Sequence, residues 1–288
     1  MIANDRLKLA HLILAHGQPE QLSRLIQSLQ HPNADFYIHI DEKTDLTPFL
    51  KMRKNLNVFF IRKREKVFWG AYSIVQATLN GFEEIVASGI PYAYVNLLSG
   101  QDYPLKPPGF IHDFLKENDG TQFMEFLSVD YEWHEALPRV KKYHLINYSF
   151  SGKYAVEKLL NAILPNRKAP ENLTFMGRSQ WFTITLGAVR YILLYLREHP
   201  QVVRFFKMTW GADELVFQTI LYNSAFKPAM RNENLRYIDW SEGKASPKTL
   251  TVADETALRN SGKLFARKFN STTEPEIMDI LDTSFLKA

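Results

Sequence analysis

Short apolar runs alternate with segments of helical periodicity over about the first 105 residues. The runs LKLAHLILA, DFYIHI, NVFFI and YAYVNLLS have the length and composition of buried strands. Between them, two segments place their apolar side chains on one helical stripe: Leu22, Leu25, Ile26 and Leu29 in the first, and Ile74, Val75, Leu79 and Phe82 in the second. This alternation predicts an α/β fold with a mostly parallel, Rossmann-like central sheet covered by helices on both faces.

The second half of the chain is less regular. QFMEFL, SQWFTITL and NLRYIDW are predicted strands, and helices are predicted over about 188–198 and 212–223. Repeats, low-complexity runs and Gly/Ser linkers are absent from the sequence, so it offers no boundary between independent domains. We therefore expect residues 1–288 to form a single domain.

Polar residues follow three of the predicted strands. His16 follows the first, Asp41 the second and the turn Ser99–Asp102 the fourth. Ligands of open parallel sheets bind beyond the carboxyl ends of the strands, so these residues are expected along one rim. The turn SGQDYP also has a purely structural interpretation, in which the glycine supplies an unusual dihedral, the aspartate caps the next helix and the proline starts it. The spacing leaves both interpretations open.

Charge and cysteine content limit the classes of partner. The chain has 35 Lys and Arg against 31 Asp and Glu, a net charge of +4, which fits an anionic ligand or a membrane surface. The basic run at 62–66 lacks interleaved aromatic residues, so nucleic acid is not expected as a partner. There are no cysteines, which excludes disulfides and thiolate chemistry and predicts a reducing compartment, the cytoplasm. The N-terminal apolar run is too short for a membrane span.

Several common catalytic motifs are missing from the sequence. It contains no G-x-G-x-x-G, no P-loop, no G-x-S-x-G elbow and no H-E-x-x-H zinc motif. It also lacks the Asp-x-Asp with which many sugar-nucleotide enzymes hold a divalent cation, and the third residue of Asp41-Glu42-Lys43 is a cation. A metal cofactor is therefore not expected.

Two kinds of charged residue are candidates for chemistry. Asp213 and Glu214 open an apolar helix, where a carboxylate either complements the helix dipole or acts as a general base. Lys268 in LFARKF and Arg236 in NLRYIDW lie on predicted strands and could hold a phosphate group. Neither pattern is specific by itself.

A series of motifs in order gives a stronger signal. The motifs run from about Leu9 to Phe269 and are LILAH, FYIHIDEK, WGAYSIVQATLNGF, LLSGQDYPL, GRSQWFTIT, ADELVFQTIL, LRYIDW, SPKTL and LFARKF. Together they resemble the family of core-2/I-branching β-1,6-N-acetylglucosaminyltransferases and peptide O-xylosyltransferases, glycosyltransferase family 14. The resemblance implies a GT-A glycosyltransferase fold, a UDP-sugar donor, inversion at the anomeric carbon and no metal.

The resemblance also implies roles for individual residues. Glu214 matches the catalytic base, Arg236 and Lys268 match the cations that stabilise the leaving diphosphate, and His16 and Asp41 match positions that hold uridine. The remaining matches are Ser99, Gly100 and Asp102 beside the donor sugar, and Glu125, Arg139 and Trp181 on the acceptor side.

The expected function is that of a bacterial-type, metal-independent, inverting transferase. It would move a sugar, with GlcNAc favoured, from a UDP-sugar to a hydroxyl of a glycan or glycoconjugate in surface polysaccharide synthesis. No cofactor beyond the UDP-sugar substrate is expected, and association with the inner face of the membrane is left open. One alternative is a UDP-xylose-dependent xylosyltransferase, and another is a catalytically silent glycan-binding protein of the same fold.

Overall fold

The computed structural model of the chain describes residues 7–54 and 57–286. The chain forms two compact units, each assembled from separate stretches. The first unit comprises Met1–Arg62, Ile90–Gly120 and Leu235–Ala288, and the second comprises Lys63–Gly89 and Thr121–Asn234. The expectation of a single domain over 1–288 stays a prediction.

The described residues form ten strands and ten α-helices. The strands are β1 (Leu9–Ala15), β2 (Ala34–Ile40), β3 (Val58–Phe60), β4 (Tyr94–Ser99), β5 (Asp102–Pro104), β6 (Gln122–Ser128), β7 (Met176–Thr185), β8 (Met230–Asn232), β9 (Arg236–Ile238) and β10 (Phe265–Arg267). The α-helices are α1 (Pro19–Ser28), α2 (Tyr72–Ala87), α3 (Pro108–Glu117), α4 (Leu137–Lys141), α5 (Lys153–Ile163), α6 (Leu186–Glu198), α7 (Pro200–Lys207), α8 (Val216–Tyr222), α9 (Glu255–Asn260) and α10 (Pro275–Ser284). The predicted α/β class with a mostly parallel sheet is confirmed.

Four parallel strands form the main sheet of the first unit, in the order β3-β2-β1-β4. Their side chains are almost all buried, which accounts for the continuous apolar runs in the sequence. After β1 the chain passes through α1 to β2 on one side, whereas β4 pairs with β1 on the other. The carboxyl ends of β1 and β4 therefore flank a topological switch point, where open α/β sheets bind ligands.

The first unit has a second, three-stranded sheet, which includes the last three residues of the SGQDYP motif as β5. β10 pairs antiparallel with β5 and parallel with β9. The purely structural interpretation, in which Asp102 caps a helix that Pro104 starts, is wrong, because both residues lie in β5 and the next helix begins at Pro108. The register places Asp102 opposite Arg267.

The second unit has its own strands and an aromatic core. β6 pairs antiparallel with β7, with an irregularity between Met124 and Phe126, and parallel with β8. The long helix α2 packs against α6, and the rings of Phe82, Phe182 and Phe217 lie 5.2 to 6.2 Å apart. Among the described residues, none of the helices combines the length and apolar character needed to cross a membrane.

Histidines are buried in the core of the first unit. His11 on β1 stacks on Phe36 at 5.2 Å, and its Nδ1 lies 3.1 Å from the Asn96 amide nitrogen. Burial, with a contribution from His112, lowers the pKa of His11 from 6.5 to about 3. His112 on α3 stacks on His31 with ring centroids 3.7 Å apart, and burial lowers its pKa to about 4. Both side chains are therefore neutral in the folded protein near neutral pH.

Because these buried histidines have lowered pKa values, we expect the stability of the fold to decrease in acid. Below pH 6.5 the unfolded chain binds protons that the native His112 does not, so the free energy of unfolding falls with decreasing pH until the folded pKa is reached. At about 1.4 kcal/mol per pH unit, His112 alone accounts for a loss of roughly 3 kcal/mol between pH 6.5 and 4. Urea unfolding over this range should show a shallower pH dependence for His112→Gln, whereas the exposed control His134→Gln should match the wild type. Identical slopes for all three proteins would contradict the prediction.

Candidate active site

A pocket lies at the switch point of the first unit. It has a volume of about 250 Å³ and is lined by residues 15–18 and 99–101, which follow β1 and close β4. Gly100 lets the two segments approach each other, because a Cβ at this position would lie 3.0 Å from the Cβ of Ala15. Gln21 fixes the turn by donating hydrogen bonds to the carbonyl oxygens of Gly100 and Phe269, both at 3.1 Å.

His16 and Asp41 lie at the same edge of the sheet. The last residues of β1 and β2, Ala15 and Ile40, are register partners, and the backbone N–H of Asp41 donates to the Ala15 carbonyl oxygen at 2.9 Å. The Asp41 carboxylate is mostly buried and accepts from the backbone N–H of Lys43 at 2.9 Å. The predicted rim at the carboxyl ends of β1, β2 and β4 is therefore present, whereas the uridine-binding role of His16 and Asp41 stays a prediction.

The buried side chain of Asp102 stabilises the SGQD turn through a hydrogen bond within the turn. Its side chain is 0% exposed, and its carboxylate accepts from the backbone N–H of Ser99 at 3.0 Å and pairs with the Arg267 Nε at 3.3 Å. Burial raises the pKa of Asp102, against the opposing effect of Arg267. Ser99 in turn accepts from the backbone N–H of Gln101. In this arrangement Asp102 has no surface for a ligand, so its contact with a donor sugar stays a prediction.

The two predicted diphosphate cations occupy different environments. Arg236 is buried on β9, where its guanidinium donates to the Asn96 side-chain oxygen and to the Leu97 carbonyl oxygen and lies 5.2 Å from the centre of the Phe265 ring. Lys268 follows β10, is only partly buried, and donates to the Ser246 hydroxyl at 3.2 Å. The Lys268 ammonium is therefore accessible to an anion, whereas Arg236 holds β9 against β4 in this structure.

Glu214 is fixed by a salt bridge in the second unit. It ends the 3₁₀ turn Ala212–Glu214, which precedes α8 and follows Gly211 in the left-handed conformation (φ 66°). Its carboxylate accepts from the Arg139 guanidinium at 2.5 Å, yet its side chain remains 30% exposed. The Arg139 guanidinium packs on the rings of Trp133 and Trp210, 4.8 and 4.3 Å from their centres. We call Trp133, Arg139, Trp210, Asp213 and Glu214 the Glu214 cluster.

Asp213 gives the cluster a second, different carboxyl group. It is buried directly beside Glu214, and burial together with the neighbouring carboxylate raises its pKa to about 7. Adjacent carboxyl groups in different environments are a common feature of acid–base sites. Asp213 therefore holds its proton over much of the acidic range, while Glu214 is the carboxylate that Arg139 pairs with.

Glu125 connects to the Glu214 cluster through Arg178. The Glu125 carboxylate accepts from the Asn234 amide at 3.0 Å and lies 3.8 Å from the Arg178 Nε. The Arg178 guanidinium lies 5.6 Å from the centre of Trp133, which also contacts Arg139. The structure thus links three predicted residues of the second unit, Glu125, Arg139 and Glu214, through side chains that the sequence did not single out.

Tryptophans near Glu214 differ from the one predicted. Trp181 on β7 is only 7% exposed, so little of its ring is open to a sugar, and its stacking role stays a prediction. Trp69 is 64% exposed and packs edge-on against Trp210, with ring centroids 5.3 Å apart. Trp210 stands immediately before the Gly-Ala-Asp-Glu motif, the one sequence signal that could have identified it.

Comparison with known proteins identifies the family. Residues 9–260, most of the chain, match the family model described as Core-2/I-Branching enzyme. The chain belongs to this family. The resemblance inferred from the motifs between Leu9 and Phe269 is thereby confirmed.

The relatives of this family member are longer proteins. Xylosyltransferase 2 of Rattus norvegicus is 24% identical over 98% of this chain and 34% of the relative. Xylosyltransferase oxt of Drosophila melanogaster is 25% identical over 82% of this chain and 26% of the relative. The chain thus spans about a quarter to a third of the length of the curated relatives it matches. Among solved structures, mouse xyloside xylosyltransferase 1 in its apo form is 11% identical, covers 92% of this chain and 99% of its own, and has a TM-score of 0.36.

Proposed function

We propose that this family member is an inverting glycosyltransferase that moves a sugar from a UDP-sugar to a glycan hydroxyl without a divalent metal. The observation that carries the proposal is the geometry of Glu214, a partly exposed carboxylate held by Arg139, whose guanidinium packs on two tryptophans. A general base must be accessible to its substrate and fixed in orientation, and Glu214 meets both conditions.

Glu214 would act on the acceptor. Its carboxylate takes the proton of the acceptor hydroxyl as the hydroxyl oxygen forms a bond to the anomeric carbon of the donor sugar. The bond from that carbon to the UDP oxygen breaks, and UDP leaves with the electron pair. Because attack and departure are on opposite faces of the sugar, a single displacement inverts the anomeric configuration. The raised pKa of Asp213, about 7, would leave it partly protonated near neutrality, which reduces the negative charge beside the base.

The switch-point pocket of the first unit is the proposed donor site. His16 and Asp41 would hold uridine, and Ser99 and Gly100 would lie beside the donor sugar, at the sheet edge where nucleotides bind in open α/β folds. The leaving diphosphate gains charge in the transition state, and the accessible ammonium of Lys268, which matches one of the family's basic pair, would stabilise it.

Two donors are candidates. GlcNAc follows from the branching enzymes that the motifs resemble, and xylose is supported by the names of the relatives, which are xylosyltransferases. The acceptor is proposed to be a glycan or glycoconjugate of surface polysaccharide synthesis, in the cytoplasm. A direct test is a binding and turnover panel with UDP, UDP-GlcNAc, UDP-xylose, UDP-glucose and UDP-galactose. Preferential binding and UDP release with one sugar would identify the donor, binding without release would indicate a silent glycan-binding protein, and no UDP binding would refute the proposal.

The same panel tests the metal-free mechanism. We expect UDP release in EDTA to stay within about twofold of the rate with Mn²⁺, because the sequence lacks the paired carboxylates that hold a divalent cation against a diphosphate. The control is a metal-dependent glycosyltransferase assayed in the same buffers. Loss of activity in EDTA and its recovery with Mn²⁺ would overturn this part of the proposal.

A further inference from the structure

Helix α5 exposes its apolar residues. Among its 11 residues, Lys153–Ile163, none is buried. Val156, Leu159 and Ile163, at helical spacing on one side, are 41%, 58% and 71% exposed. A helix on the surface of a globular protein normally turns its apolar stripe towards the core.

The side of α5 that contacts the protein carries polar residues. Glu157 accepts from the backbone N–H of Leu145 at 2.7 Å. Asn161, one turn later, accepts from the backbone N–H of Tyr143 at 2.8 Å and donates to the Tyr143 carbonyl oxygen at 2.8 Å. These contacts hold the helix with its polar side inward, so its amphipathic pattern is inverted relative to a core-facing helix.

Residues on both sides of α5 enlarge the apolar surface. The exposed side chains of the flanking turns and the first helical turn are those of Tyr148, Phe150, Tyr154 and Leu164. Arg167 anchors the end of the segment, because its buried guanidinium donates to the carbonyl oxygens of Lys142, Met208 and Phe205. The surface is thus presented by a tethered segment, 148–168, which we call the α5 segment.

The charges of the α5 segment are cationic where they reach solvent. Lys158 and Lys168 are exposed, and the one acid of the segment, Glu157, is engaged with the Leu145 backbone. An exposed apolar stripe flanked by lysines and tyrosines is the composition of helices that lie in the interface of an anionic bilayer. A second copy would carry the same lysines, so the charge of the segment favours an anionic surface over self-association.

We propose that the α5 segment docks the protein on a membrane surface that contains anionic lipids. Val156, Leu159 and Ile163 insert between the headgroups, Tyr148 and Tyr154 lie at the polar boundary, and Lys158 and Lys168 contact the lipid phosphates. The proposal concerns a surface distinct from the Glu214 cluster and goes beyond glycosyl transfer.

Vesicle sedimentation of the full chain tests the proposal. The wild type should bind vesicles of phosphatidylcholine with one third phosphatidylglycerol, should bind pure phosphatidylcholine vesicles more weakly, and should be released as the salt concentration rises. The double variant Leu159→Glu/Ile163→Glu should bind at least about tenfold more weakly, because it places charges in the stripe that inserts. Lys158→Glu should weaken binding to the anionic vesicles alone.

Control substitutions on α6 show whether a loss of vesicle binding is specific to the α5 segment or follows from adding a negative charge anywhere on the surface. Leu194→Glu changes a 50% exposed leucine, and Arg190→Glu reverses an exposed cation, both on α6. Both should bind vesicles like the wild type.

Equal vesicle binding by the α5 and α6 variants, or no binding of the wild type to anionic vesicles, would overturn the proposal. Concentration-dependent dimerisation that Leu159→Glu/Ile163→Glu abolishes, without vesicle binding by the wild type, would assign the surface to a second copy instead. Vesicle binding is measured without donor or acceptor, so its outcome is independent of the proposed transfer activity.

Discussion

Replacing Glu214 with glutamine should lower UDP release from the preferred UDP-sugar by about a thousandfold, within the range that general bases contribute. Glutamine keeps the size of the side chain and can still accept a hydrogen bond from Arg139, but it cannot take a proton from the attacking hydroxyl. Donor binding should be unchanged, because the substitution alters none of the residues proposed to hold UDP. The loss should therefore appear in kcat with little change in KM.

The measurement is steady-state UDP release, combined with calorimetric titration of UDP into both proteins. A suitable control is Glu198→Gln, which makes the same substitution at an exposed position at the end of α6. The control should retain wild-type turnover. If Glu214→Gln kept more than about a tenth of the wild-type kcat, Glu214 would not be the base, and the raised pKa of Asp213 would make it the next candidate.

The sequence predicts the first sheet well for a physical reason. Parallel strands buried on both faces produce uninterrupted apolar runs, and their order along the chain fixes which ends meet at one edge. The placement of His16, Asp41 and Ser99 therefore followed from strand ends alone. The short strand β5 could not be predicted in this way, because Ser-Gly-Gln-Asp-Tyr-Pro has the composition of a turn and its strand character depends on pairing with β10, about 160 residues later.

Contacts between distant residues set the limits of the prediction elsewhere. Arg178 links Glu125 to Trp133 and so to Arg139, but it lies on β7, about 40 residues after Arg139, and no local pattern marks it as their neighbour. The burial of Arg236 is a similar case, since a cation at a strand position is compatible with an exposed phosphate site or with a buried bond to Asn96. Helix α5 was not predicted, because the residues that attach it to the protein, Glu157 and Asn161, are polar and bond the backbone of Leu145 and Tyr143.

Arg236→Ala should destabilise the fold, whereas Lys268→Ala should lower turnover in a stable protein. Alanine at 236 removes the donor to the Asn96 side chain and the Leu97 carbonyl oxygen in the core and the cation packed on Phe265, so we expect the free energy of unfolding to fall by about 3 kcal/mol. Lys268 is partly exposed and bonded to a surface serine, so its removal should leave stability within about 0.5 kcal/mol of the wild type.

Denaturant unfolding and UDP titration of both variants separate the two roles. Lys268→Ala should bind UDP more weakly and turn over roughly a hundredfold more slowly, because a fixed cation on the leaving diphosphate is lost. Arg236→Lys retains the charge but cannot reproduce the fork of the guanidinium, so it should also lose stability. If Arg236→Ala instead unfolded at the wild-type denaturant concentration but failed to bind UDP, the guanidinium would have to leave Asn96 and reach the diphosphate. Arg236 would then have the diphosphate-binding role that the family resemblance implies, and the pocket would have to rearrange when UDP binds.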